Sequence, residues 1–182
     1  MIIGISGNAR HGKDTIANFI AEYLTCEIYH LADPMKEAAK ILMDWNDSHV
    51  YGDLKETIDP RWGISPREFL QWIGTDVFQC NLNDYFQSYT GGRNHWVKLL
   101  LEKCSDPEKI YVVPDVRFIH EAKAIKKHGG IIIKVTRDIK TDVPNHASER
   151  EISQIEADYY IENDGSLSEL RGKVFELLDG IG

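Results

Sequence analysis

The sequence predicts an α/β protein of three layers, α/β/α, around a mainly parallel sheet of five strands. Two observations carry this. Short β-branched runs alternate with amphipathic stretches along the whole chain, the pattern of strand–helix units wound into a parallel sheet. The 182 residues, 42% hydrophobic and 27% charged, suit one domain with one substantial core. There is no internal repeat, low-complexity segment or linker.

The elements follow in order. Met1 to Ser6 is an apolar first strand. With no basic stretch before it, it reads as a buried strand and not as a signal peptide. Ile16, Phe19, Ile20, Tyr23 and Leu24 recur at helical spacing. Glu27 to Leu31 reads as a second strand. Asp33-Pro34 offers an N-cap and a proline at the first helical position, with Met35, Ala38, Ala39, Leu42 and Met43 as the apolar stripe behind it. Residues 44–64 are polar, aromatic and irregular. Ser65-Pro66-Arg67-Glu68 is a capping box that starts a helix. Asn94 to Leu101 predicts another helix, Ile110 to Pro114 a buried strand, and about Arg117 to His128 a helix stopped by Gly129-Gly130. Ile131 to Thr136 and Tyr159 to Glu162 are the last strands. Residues 138–147 are loop-like. Asn163-Asp164-Gly165 turns the chain into a closing helix capped by Ser166 and Glu169. The whole chain, 1–182, is therefore expected to form one domain, with an excursion over about 44–100 and a lid over about 137–150.

Composition narrows the function. Cys26, Cys80 and Cys104 are scattered, which argues for reduced thiols in a cytoplasm and against a disulfide framework or zinc site. The net charge of −8 and the absence of a basic block argue against gripping a nucleic acid polymer. No run is apolar enough to span a membrane. A few placed cations fit a small anionic ligand better.

Gly7-Asn8-Ala9-Arg10-His11-Gly12-Lys13 matches G-x4-G-K between an apolar strand and an amphipathic helix. Such a loop turns backbone N–H groups inward around phosphate oxygens, and the helix N-terminus adds partial positive charge. Lys13 would neutralise charge between β- and γ-phosphates. Position 14 is Asp where Ser or Thr usually meets Mg²⁺, and Thr15 follows. Either Asp14 holds the metal, or it serves the acceptor while Thr15 supplies the hydroxyl. The bland alternative is a mere strand–helix turn.

Three other segments carry polar groups suited to a ligand. On an α-helix Arg67, Gln71, Gly74 and Thr75 share one stripe: a guanidinium for phosphate, an amide for a base edge, a gap and a hydroxyl. A solvated face would look the same. Asp115 and Arg117 end a buried strand, where ligands of parallel sheets bind: Asp115 could orient Mg²⁺-bound water, hold a sugar hydroxyl or act as base, Arg117 could grip a phosphate, and Glu121, one turn on, could position Arg117. An N-cap with a surface ion pair is the plainer reading there. Arg137, and Arg150 in the segment His146-Ala147-Ser148-Glu149-Arg150, could reach a transferring phosphate from a lid that excludes water. Trp72 and Trp96 are candidates for stacking on a base, although single aromatics are more often core.

Taken together, GNARHGKDT, LADPMKEAAK, SPREFLQWIGTD, VVPDVRFIHEA and HASE resemble, in order and over nearly the whole chain, the phage-type deoxynucleoside monophosphate kinases. The GKDT ending makes Asp14 typical of that family. The resemblance implies a P-loop kinase fold and the reaction ATP + dNMP = ADP + dNDP, with Mg²⁺. It implies ATP phosphates on Gly7 to Thr15, including Asn8 and Ala9, and adenine beside Asn163 and Gly165. It implies acceptor contacts from Lys36, Arg67, Gln71, Gly74, Thr75, Trp96, Asp115, Arg117 and Glu121. The partners would be small molecules, with the reaction in the cytoplasm (the host's, if phage-encoded). A homodimer is compatible with the sequence, which does not fix the oligomeric state. A kinase of dephospho-coenzyme A or of a nucleoside, and a non-catalytic ATP-binding protein, are the competing readings. The N-K-x-D motif of a GTPase is missing.

Overall fold

The computed structural model describes residues 1–138 and 147–181, with side chains in those ranges except at 147–150. The chain divides into two compact units, Met1–His30 with Leu100–Gly182, and Leu31–Leu99.

The first unit holds the sheet. Its strands are β1 (Ile2–Ser6), β2 (Cys26–Ile28), β3 (Ile110–Val116), β4 (Ile131–Thr136) and β5 (Tyr159–Glu162). All pair in parallel, in the order β2-β3-β1-β4-β5. β1 is central and wholly buried, which explains its unbroken apolar run. Its side chains alternate between faces. Ile3 and Ile5 pack with Ile16, Ala17 and Ile20 of α1 (Lys13–Tyr23) and with Leu170, Val174 and Leu178 of α9 (Leu167–Asp179). Gly4 points the other way, toward Ile125 of α7 (Ile119–Lys127). Helices on both faces make the three expected layers, and α8 (Ala147–Gln154) lies between β4 and β5 in the chain.

The second unit is helical: α2 (Asp33–Met43), α3 (Asp47–Val50), a 3₁₀ turn (Asp53–Glu56), α4 (Pro66–Gln71), a π-helical segment (Trp72–Asn81), α5 (Leu82–Tyr85) and the start of α6 (His95–Lys103). Its core joins Ala39, Trp45, Val50 and Leu70. The Trp45 indole donates to buried Asp59 at 2.8 Å. Hydrogen bonds from Arg61 hold the Asp59 carboxyl well below the usual carboxylate range, against the opposing effect of burial.

Several elements differ from their sequence reading. β2 is Cys26–Ile28 and ends before Leu31, because only those residues stay in register with Ile110–Val112. In α2, Ala32 takes the cap position and Asp33 opens the helix; Ala38 and Leu42 are exposed, so the buried stripe is narrower than expected. β3 runs on to Val116, and α7 starts at Ile119. Both capping boxes, Ser65/Glu68 and Ser166/Glu169, are formed with reciprocal bonds. The helix entered at Ser65 widens after Gln71 into the π-helical segment, whose longer turn breaks the α-spacing that aligned Gly74 and Thr75 with Arg67 and Gln71. Among the described residues, no helix is long and apolar enough to cross a membrane.

Candidate active site

In a parallel sheet every strand delivers its C-terminal end to the same edge. In the first unit that edge gathers the loop after β1, Asp115 in the last residues of β3 and Arg117 just after it, Arg137 after β4 and Asn163 after β5. Because β1 lies between β3 and β4, the loop 7–13 is flanked by Arg117 on one side and Arg137 on the other.

The loop has the backbone expected of an anion cradle. Gly12 caps α1 in the left-handed region, at φ +93°, and Arg10 is also left-handed at φ +65°. A side-chain-bearing residue adopts that conformation only where its surroundings hold it. Gly7 is buried at the loop's base, Asn8 is half-buried and Ala9 exposed. The first N–H groups of α1 have no acceptor inside the helix, so they and the helix dipole favour an anion there. Lys13 Nζ donates to the Asn8 carbonyl at 2.8 Å. Burial, then the nearby Arg117 guanidinium, push the Lys13 ammonium down to about 8, and Asp14 and Asp115 only partly restore it. Among the described residues, neither the Arg117 nor the Arg137 guanidinium pairs with a carboxylate. Both are exposed.

Glu121, one turn after Arg117 as the sequence suggested, holds that residue by its backbone and not by its guanidinium. It is buried, and its Oε2 accepts from the backbone N–H groups of Arg117 at 2.9 Å and Phe118 at 3.1 Å. It therefore fixes the backbone that presents Arg117. Burial pushes its carboxyl up to about 7, against those two donors, and Asp115 adds to the rise.

On the first turn of α1, exposed Asp14 and half-buried Thr15 offer a carboxylate and a hydroxyl. Asn163 is buried, and its side-chain amide donates to the His11 carbonyl at 2.9 Å. Gly165 is exposed in the turn before α9.

The remaining residues read as acceptor contacts lie in the second unit. Lys36 is half-buried, 3.3 Å from Asp33 and 4.3 Å from the centre of the Tyr51 ring. Arg67 pairs with Glu56, and Gln71 is exposed. Gly74 is buried against Met35, whose sulfur stands 2.5 Å from where a Cβ would be. Thr75 is half-buried. Trp96 is buried too: its indole donates to the Gly74 carbonyl at 2.9 Å and its ring packs on Phe78, so it braces the π-helical segment. His146 lies outside the described residues, as do the side chains of Ser148 and Arg150.

Comparison with known proteins accords with this geometry. A shikimate kinase structure from Aquifex aeolicus covers 100% of this chain, which covers 98% of it, with a TM-score of 0.54 at 13% identity. At that identity the likeness speaks for the fold alone, and the fold is that of the P-loop kinases. A protein of Acanthamoeba polyphaga mimivirus named "Putative deoxynucleotide monophosphate kinase" is 33% identical over 98% of this chain and 96% of its own length. The deoxynucleotide monophosphate kinase of Enterobacteria phage T4 is 32% identical over 67% of this chain, which spans only 48% of the phage protein. The family model described as deoxynucleotide monophosphate kinase matches residues 1–57 and 46–174. On this match and the mimivirus alignment, the chain belongs to the deoxynucleotide monophosphate kinase family.

Proposed function

We propose that this protein transfers the γ-phosphoryl group of ATP to a deoxynucleoside monophosphate, giving ADP and the diphosphate. The observation that carries the reading is the Lys13 corner: a half-buried ammonium depressed by burial and by Arg117, on a left-handed loop at a helix N-terminus. An anion placed there would meet N–H donors and two cations. The acceptor's phosphate oxygen is already a nucleophile at neutral pH, so catalysis is mainly alignment and charge stabilisation.

In this reading the backbone of Gly7 to Thr15 holds the ATP phosphates and Lys13 neutralises their transferring end. Arg117 and Arg137 stabilise charge on the moving group, and Arg117 also grips the acceptor's phosphate. Asp115 orients the acceptor. Lys36, Arg67, Gln71, Gly74 and Thr75 serve the acceptor nucleotide, a role that rests on the family resemblance of the segments holding them. Mg²⁺ fits the oxygen donors of Asp14 and Thr15, neither of which has a hydrogen-bond partner among the described residues. Mg²⁺ is commonly held by one or two protein oxygens together with substrate phosphates and water. When bound it would neutralise phosphate charge. The substrates are small molecules, and we place the reaction in the cytoplasm.

The test is ADP release from Mg-ATP with each common deoxy- and ribonucleoside monophosphate offered in turn. Stimulation by one or more deoxynucleotides is expected. Lys13→Ala should lower turnover on the order of 10²-fold or more, the scale for one electrostatic contact to a transition state. No stimulation by any of them, or near-normal turnover in Lys13→Ala, would overturn the reading.

A further inference from the structure

Asn163 stands where the resemblance implies contact with adenine, yet its side chain is turned away from solvent and onto the loop itself. It is 6% exposed. Its Nδ2 donates to the His11 carbonyl at 2.9 Å, across 152 residues of sequence. Its backbone N–H donates to the Thr136 carbonyl at 2.8 Å. The His11 ring is buried as well, with Nδ1 3.2 Å from the Val135 carbonyl, so Nδ1 carries the proton in that bond. The end of β4, the end of β5 and residue 11 thus form one hydrogen-bonded set.

The requirement behind this is geometric. A loop that aims its N–H groups inward at an anion must turn its carbonyls outward. An outward carbonyl in a buried place needs a donor. Asn163 supplies it for His11. The next residue is Gly12, and a Cβ there would stand 2.5 Å from Asn163 Nδ2. Glycine at 12 is therefore needed twice, for its left-handed backbone and to admit the Asn163 amide.

We propose that Asn163 is a positioning residue for the phosphate loop: its amide holds the His11 carbonyl outward and so sets the inward N–H groups beside Lys13. It acts on the nucleotide's phosphates through the loop, and not on the base. The proposal rests on the reading that loop 7–15 binds ATP phosphates.

The test compares wild type, Asn163→Asp and Asn163→Ala by titration with ADP and with adenosine, and by kinetics with ATP and GTP as donors. Asn163→Asp keeps the shape and sets a carboxylate oxygen against the His11 carbonyl. It should weaken ADP binding on the order of 10-fold, the scale of one buried hydrogen bond lost. Adenosine affinity and the ATP-to-GTP ratio of kcat/KM should stay at wild-type values. Gly12→Ala should cost less turnover in the Asn163→Ala background than in wild type, because the clashing amide is gone. This holds even if Asn163→Asp fails to fold. The proposal is overturned if the Asn163 variants keep full ADP affinity. It is also overturned if adenosine affinity or the ATP-to-GTP ratio changes, which marks a base contact, or if the two substitutions are additive. If wild type binds ADP no better than adenosine, the phosphate-loop reading beneath it falls first.

Discussion

Glu121→Gln should change how the protein's stability responds to pH. The carboxyl is buried and accepts two backbone N–H bonds, from Arg117 and Phe118. Its folded value stands near 7 against an ordinary 4.5, with burial the main cause. The folded state therefore keeps a proton that the unfolded chain has lost. The stability so gained is complete below about pH 4.5 and is lost as pH rises through about 7. The gap of roughly 2.5 pH units, at 1.36 kcal/mol each, amounts to about 3 kcal/mol. Glutamine does not titrate and still offers a carbonyl oxygen to both N–H groups. Wild-type stability minus that of Glu121→Gln should then fall by most of that amount, about three quarters of it, between pH 5 and pH 8, other groups cancelling in the difference. Urea unfolding of both proteins at pH 5, 6, 7 and 8, at constant ionic strength, measures it. A difference that stays flat, or that grows with pH, would refute the reasoning.

Three further outcomes are expected. Arg117→Ala should raise KM for the deoxynucleotide and lower turnover on the order of 10²-fold while the Kd for ATP changes little; an equal loss of ATP affinity would argue against its acceptor role. Trp96→Phe removes the indole donor to the Gly74 carbonyl and should cost about 1 kcal/mol in urea unfolding; no loss would mean that the indole bond does not brace the π-helical segment. Ser65→Ala removes the acceptor for the Glu68 N–H and should cost about 1 kcal/mol, read from the shift in the thermal or urea midpoint.

What could be read in advance was local. β5 and the two capping boxes depend on residues within a few positions of one another, and they stand where the sequence puts them. The loop 7–13 is legible because its glycines, lysine and flanking elements are adjacent. What escaped depends on distant partners. The length of β2 is set by its register on β3. The π-helical widening after Gln71 accompanies the Gly74–Met35 approach and the Trp96 bond, none of which leaves a periodic mark. Glu121 was visible one turn beyond Arg117, but its bonds go to backbone N–H groups and not to the guanidinium. The bond from Asn163 to His11 joins opposite ends of the chain. No pattern within a window of helical or strand length could have announced it.

The position of β1 has a consequence for how the molecule is made. The strand at the middle of the sheet leads both of its partners by a long stretch of chain: Ile2 waits for Tyr111, and Ile3 for Ile131. Until those residues leave the ribosome, an apolar strand is exposed with both backbone edges unpaired. The unit Leu31–Leu99, by contrast, is one contiguous stretch whose cluster of Ala39, Trp45, Val50 and Leu70 closes only short loops. It can order while the sheet is still incomplete, and the sheet should then form late and slowly. During synthesis the segment most in need of protection from aggregation is therefore the same Ile-rich strand that later carries the phosphate loop.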